Sequence, residues 1–259
     1  MEKLWNTLKK GLEDYCQKNG FNQVILGLSG GLDSATCAVL AADVFGGQNV
    51  TAIMMKTRYT SDLSLKIARQ IAKSNNLNYH EIDIDPFFEK EVELLKEAFK
   101  EDVKGIVQEN LQARIRGQIL MAWSNQFGGL VLACGNKSEA ITGYCTLYGD
   151  TCGGLEPIGN VYKTTIFELA KWRNTLSKVL PDEVITRAPS AELAVGQKDE
   201  NSLPPYLVLD AILKELFDNK KTVDETVQKG FEKKTVERVE SLIKRSAFKR
   251  KQMAEMIEI

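Results

Sequence analysis

The chain has 259 residues, 27% of them charged, and a formal net charge of −1. That balance excludes a general nucleic-acid surface, which needs a basic excess, and no apolar run approaches the roughly 18 residues of a membrane-spanning helix. The five cysteines, an odd number with no C-x-x-C pair, fit reduced thiols in a cytoplasm better than a disulfide frame.

The first residues, Met1-Glu2-Lys3-Leu4-Trp5, lack the apolar core of a signal peptide. At this length the chain suits one large α/β domain over 1–259, with room for a helical annex. Residues 3–19 are amphipathic, with Leu4, Trp5, Leu8, Leu12 and Tyr15 on one helical face. Gln23 to Leu28 reads as a short apolar strand, and Ala35 to Phe45 as a buried helix ended by Gly46-Gly47. Between them Ser29 to Ser34 must turn tightly. Val50 to Met55 is a second strand. Thr60 or Ser61 caps a helix reaching Ser74, and Tyr79 to Ile84 is a third strand. This βαβαβ order predicts a parallel sheet with right-handed crossovers, and a ligand beyond the carboxyl ends of its strands.

Pro86 to Lys104 reads as helical. Glu109 to Phe127 is a stronger helix with Leu111, Ile115, Ile119, Trp123 and Phe127 spaced by four, a face that suits core packing and a dimer interface equally. Gly129 to Cys134 is a fourth strand, and 141–163 an irregular, Gly- and Thr-rich loop. Thr165 to Ser177 is a helix. The polar stretch 188–203 holds no clear element and could order over a substrate. Pro204-Pro205 opens a further helix, and two more follow near 222–229 and 232–246.

The chemistry concentrates at Gly27-Leu28-Ser29-Gly30-Gly31-Leu32-Asp33-Ser34. Glycines at a strand–turn–helix let backbone N–H groups approach an anion, and the helix dipole favours one there. The Gly-Lys-Ser/Thr and G-x-G-x-x-G patterns are both lacking. An acid inside a phosphate loop makes sense if Asp33 holds Mg²⁺ against a phosphate. Glu139, after the fourth strand in Gly135-Asn136-Lys137-Ser138-Glu139, is the candidate second carboxylate, with helix capping as its alternative role. Asp150 and Asp199 are further loop acids. Lys163, Arg114, Lys137 and the run Lys244 to Lys251 are the candidate cations, the run having a solvated helix end as its plainer reading. His80 is the only histidine, which leaves no zinc site of several histidines and little room for a Ser-His-Asp triad. We read it as an edge or surface residue without a catalytic role.

The loop resembles the pyrophosphate loop of the ATP pyrophosphatases. With Glu109 to Gly117, Gly135 to Glu139, Gly143 to Asp150, Lys163-Thr164, Pro189 to Leu193, Gln197-Lys198-Asp199-Glu200 and Leu203 to Tyr206, the set over about 22–252 is similar to NAD synthetase. It looks most like the synthetase portion of the glutamine-dependent branch, without that branch's nitrilase-like glutaminase. The resemblance implies an α/β fold, a Rossmann-like doubly wound parallel sheet of the adenine nucleotide alpha-hydrolase-like kind with extra C-terminal helices. It implies Mg²⁺ on Asp33 and Glu139, and ATP on Gly27 to Ser34, Cys134, Lys163 and Ser190. Deamido-NAD would meet Asn110, Arg114, Glu139, Tyr144, Leu147, Asp150, Gly154, Phe248 and Lys249, with Asp33, Lys163 and Asp199 catalytic. A homodimer and ammonia, free or from a separate glutaminase, complete the implied partners. Three positions depart from the family: Cys134 where Thr is usual, and Leu147 and Phe248 where one ammonia-dependent subgroup has Lys and His. A tRNA-modifying enzyme on the same loop, and a nucleotide-binding module without turnover, are the rival readings. The first would want paired cysteines and a basic surface, and the second is disfavoured by the intact Asp33, Glu139 and Lys163.

Overall fold

The computed structural model describes residues 1–194, 196–197 and 199–259. Val195 and Lys198, in the predicted 188–203 loop, lie outside the described residues. The sheet runs β3-β2-β1-β4, all parallel. Its strands are β1 (Val24–Gly27), β2 (Val50–Lys56), β3 (Asn78–Asp83) and β4 (Leu130–Val131). Side chains alternate across it, as a pleat requires. Val24, Leu26, Ala52, Met54 and Leu132 pack on one side; Ile25, Ile53, Met55 and Val131 pack on the other.

The first side is covered by α1 (Glu2–Lys18), α2 (Leu32–Phe45), α3 (Asp62–Ser74) and α7 (Lys163–Leu176). Asp43 staples three of these helices. It accepts from Trp5 Nε1 of α1 at 2.9 Å and from Arg173 Nε and Nη2 of α7 at 2.8 Å each. The second side is covered by α4 (Asp85–Phe99) and α5 (Ile106–Phe127). A helical annex of α6 (Lys137–Thr142), α9 (Tyr206–Leu213), α10 (Val223–Val227) and α11 (Lys233–Arg245) buries a third apolar cluster around Leu209, Ile212, Val236 and Val239.

Several boundaries differ from the sequence reading. Helix α2 starts at Leu32, so Asp33 and Ser34 stand on its first turn rather than in the preceding loop. Helix α4 stops at Phe99, where Lys100 takes a left-handed φ of 57°. Only two residues of the fourth strand pair with β1; beyond them Leu132 bridges to Leu155. The stretch read as irregular over 141–163 contains β5 (Leu155–Glu156), which pairs in parallel with β6 (Glu255–Met256) near the carboxyl end. Neither strand is legible locally, because each is two residues long and exists only through its distant partner. The short helices α8 (Asp182–Thr186) and α12 (Ala247–Arg250) also went unread. His80 lies on the edge strand β3, its ring 4.5 Å from that of Trp123, as an edge position predicts.

Candidate active site

At the carboxyl end of β1 the chain turns through Ser29–Gly31 into α2. Ser29 Oγ accepts the Gly31 N–H at 3.2 Å and sits 3.0 Å from Ser34 Oγ, which itself accepts the Ser29 N–H. Gly31 is the N-cap of α2 and provides no side-chain cap, so the first amides of the helix are open to a ligand. Gly30 has φ of 80°, and a Cβ there would stand 2.4 Å from the Ser64 carbonyl oxygen. Both the conformation and the close approach to α3 demand glycine.

Three charged side chains converge on this loop. Asp33 reaches inward from α2. Glu139 comes from the first turn of α6 and Lys163 begins α7. The Lys163 ammonium pairs with Asp33 Oδ2 and lies 3.7 Å from Glu139 Oε1. Lys163 is 3% exposed. Burial works against its charge, but Asp33 and Glu139 outweigh it and raise its pKa, so the ammonium keeps its proton. Burial first, then the Asp33 charge, pushes the Glu139 carboxyl well above the usual range, against the pull of Lys163. Two acids share this one ammonium. Asp33 Oδ1, moreover, is buried with no hydrogen-bond partner. An orphaned carboxylate oxygen beside a second acid fits a hard divalent cation that takes its other ligands from phosphate and water. Glu139 also takes its alternative role as a helix cap, closing a capping box with Asn136.

Asp199, 4% exposed, accepts from Tyr206 Oη at 2.9 Å and Tyr144 Oη at 3.3 Å, and burial raises its pKa. Ser190 faces the cleft in the turn 187–193, its hydroxyl donating to the Gln197 carbonyl at 2.6 Å. The cleft bounded by these groups has a volume of about 300 Å³. Its wall holds Gly27 to Ser34, Cys134, Glu139, Tyr144, Asp150, Lys163, Ser190 and Asp199 together.

A protein-family model described as NAD synthase matches residues 4–253. The chain belongs to the NAD synthase family. It is 48% identical over 252 residues to the glutamine-dependent NAD(+) synthetase of Xanthomonas campestris, covering 96% of this chain and 46% of that protein. The chain thus spans about half the length of the curated relatives it matches. Among solved structures, it is 41% identical to the glutamine-dependent NAD+ synthetase of Acinetobacter baumannii in complex with ADP. That match covers 99% of this chain and 46% of the other, with a TM-score of 0.70. It is 27% identical to an NH3-dependent NAD synthetase from Campylobacter jejuni, which covers 99% of this chain and 98% of that one with a TM-score of 0.78.

Against this NAD synthase fold, the remaining candidates take other places. Asn110 Oδ1 accepts from Thr146 Oγ1 at 2.7 Å, and Arg114 Nε donates to the Leu147 carbonyl at 3.2 Å; none of Asn110, Arg114 and Leu147 lines the cleft. Gly154 is turned toward α1, its carbonyl accepting from Tyr15 Oη at 2.7 Å. Lys249 Nζ holds the carbonyls of Gly143 and Cys145 at 2.8 and 2.6 Å, and Phe248 is exposed. Lys137, expected to face a triphosphate, instead pairs with Asp218 at 2.8 Å over the Tyr162 ring. Two residues before Glu139 on the same helix, it is turned to another side of α6. Two cleft cations among the described residues are not among the expected site residues. Arg116 and Arg187 both line the wall. Arg116 stands within Glu109–Gly117, two residues beyond Arg114, and on a helix that spacing turns it to the face opposite Arg114.

Proposed function

We propose that this chain catalyses the ATP-dependent amidation of deamido-NAD to NAD, a C–N bond-forming ligase reaction. A carboxylate is a poor electrophile. The nicotinate carboxylate oxygen attacks the α-phosphorus of ATP, and pyrophosphate departs with the bonding electrons. Ammonia attacks the acyl carbon of the resulting adenylate, loses a proton, and AMP leaves. The Ser29–Ser34 loop and Lys163 hold the departing pyrophosphate and offset its charge. Mg²⁺ bound by Asp33 and Glu139 would supply further charge neutralisation. Ser190 and Cys134 would contact ATP. Asn110, Arg114, Tyr144, Leu147, Asp150, Gly154, Phe248 and Lys249, with Glu139, would receive deamido-NAD. Asp199, held by two tyrosine hydroxyls, would position ammonium. No covalent enzyme intermediate is required.

The observation carrying this reading is the Asp33–Lys163–Glu139 set at a glycine loop in a chain of this family. The ADP bound to the Acinetobacter baumannii relative supports ATP as co-substrate here. The whole of residues 1–259 is read as one synthetase unit, cytoplasmic and homodimeric. Among the described residues no helix is long and apolar enough to cross a membrane.

The nitrogen source has two readings, because the curated relatives are glutamine-dependent and about twice as long. Free ammonia is one, and ammonia delivered by a glutaminase is the other. The experiment measures AMP and NAD from ATP, MgCl2 and deamido-NAD, with ammonium in one reaction and glutamine in another. Turnover with ammonium alone is expected. Absence of AMP in both overturns the assignment of substrate.

A further inference from the structure

We propose that Arg116 is a nucleotide-binding residue, its guanidinium taking anionic oxygens of the bound ATP on the cleft wall beside the phosphate loop. The inference rests on the reading of ATP as co-substrate and adds a contact to it. Among the described residues three cations line the cleft: Arg116, Lys163 and Arg187. Lys163 has Asp33, and Arg187 pairs with Glu192. No carboxylate among the described residues lies within ion-pair distance of Arg116.

The two acids whose charges act on it, Asp85 and Glu192, both bond other groups, although Asp85 does so through Oδ2 only and keeps Oδ1 without a partner. Asp85 accepts from Arg58, at 2.9 Å from its backbone N–H and 3.2 Å from its Nε. Glu192 accepts from Ser61, at 3.2 Å from the N–H and 2.8 Å from the hydroxyl, as well as from Arg187. Arg116 is half-buried; a charge partly withdrawn from water without an ion-pair partner is costly, and a ligand that supplies the counter-charge offsets that cost.

The placement favours ATP over the second substrate. Arg116 Nε donates to the Met55 carbonyl at 3.0 Å, its one protein hydrogen bond among the described residues. The amino nitrogens of the fork are thereby left for a ligand. Met55 is on β2, directly beside β1. Its methyl lies 3.2 Å from the point where a Cβ on Gly27, at the entrance to the phosphate loop, would stand. Arg116 thus flanks the loop on the β2 side, while Lys163 and Glu139 flank it on the β4 side. A nucleotide anchored by its pyrophosphate in the loop passes between them. A guanidinium fork suits phosphate oxygens better than an ammonium does.

The test is calorimetric titration of ADP with MgCl2 into the wild-type chain and into Arg116→Lys and Arg116→Met, alongside KM for ATP and for deamido-NAD. Both variants are expected to bind ADP and ATP about tenfold or more weakly, the size of a charge-assisted hydrogen bond lost. The deamido-NAD KM is expected to stay within about twofold. Unchanged ADP affinity in either folded variant, or a loss confined to deamido-NAD, overturns the proposal. A purely structural role predicts a lower melting temperature with unaltered ADP affinity. The ADP titration needs no turnover, so a wild-type chain that binds ADP but does not amidate deamido-NAD defeats the proposed reaction without touching this one.

Discussion

The half-buried Asp33 and the buried Glu156 are placed very differently. Asp33 faces Lys163 and keeps one oxygen, Oδ1, without a partner at the site. Asp33→Asn should lower pyrophosphate release about a hundredfold or more, the scale of losing one preorganised charge in a catalytic site. Circular dichroism should show the fold intact; pyrophosphate release at the wild-type rate would rule out the charge role. Glu156 is 3% exposed, has a partnerless oxygen, and sits where a Cβ on Gly135 would come 2.1 Å from its Oε1. Burial, then the Asp150 charge, pushes its carboxyl from 4.5 up to about 7. The folded state therefore binds this proton more tightly than the unfolded chain. The side chain contributes most stability below pH 4.5, and that contribution is lost as pH rises through 7. Glu156→Gln should equal wild type at low pH and exceed it at pH 8, by at most on the order of 3 kcal/mol. Urea unfolding at both pH values measures this, and equal stabilities at pH 8 would refute it.

At the scale of elements, the first turn of α3 joins the Ser29–Gly31 turn to the 187–193 turn. Its Ser64 carbonyl abuts Gly30 of the phosphate loop. Its N-cap, Ser61, meets Glu192 of the 187–193 turn, and Glu192 holds a left-handed φ of 49°. From 185 to 194, and at 196 and 197, no residue is buried, so polar contacts rather than apolar packing hold the turn over the cleft. Gln112 Nε2 adds one more, donating to the Leu193 carbonyl at 3.0 Å. Glu192→Gln should accelerate amide exchange in 187–194 with no change in β1 or β2, and raise KM for ATP several-fold. Unaltered exchange would show that the carboxylate does not hold the turn. Gly30→Ala should cost about 1–2 kcal/mol from the left-handed backbone alone, more with the clash against Ser64, and the melting temperature should fall accordingly.

For the molecule as a whole, α4 and α5 leave Leu94, Phe99, Ile106, Val107, Met121 and Phe127 exposed on the flank away from α1 and α2. Exposed apolar side chains in such number suit an interface between copies. Light scattering should give a mass near twice 28.9 kDa, and Phe99→Asp combined with Ile106→Asp should shift it toward the monomer. A monomeric wild-type chain would refute the dimer.

Much of this was legible locally. The strand–glycine turn–helix, with Asp33 in it, follows from small residues between an apolar strand and an apolar helix, because turn chemistry and periodicity are short-range properties. Ser61 as the cap of α3 and Gly46 as the end of α2 are of the same kind. Lys163 was found as a cation at a helix start, and only the fold brings it to Asp33, 130 residues away in sequence. The direction of Lys137, the two-residue strands β5 and β6, and Arg116 standing without a carboxylate were decided by tertiary structure alone. In each case the deciding partner comes from a distant part of the chain: Asp218, the carboxyl-terminal strand, and the Arg58 and Arg187 that hold the neighbouring acids. The sequence by itself determined the strand–glycine turn–helix and which charged residue types stand around it. Tertiary structure decided which charges meet and which remain open to a ligand, because electrostatic pairing depends on distance in space and not on spacing along the chain.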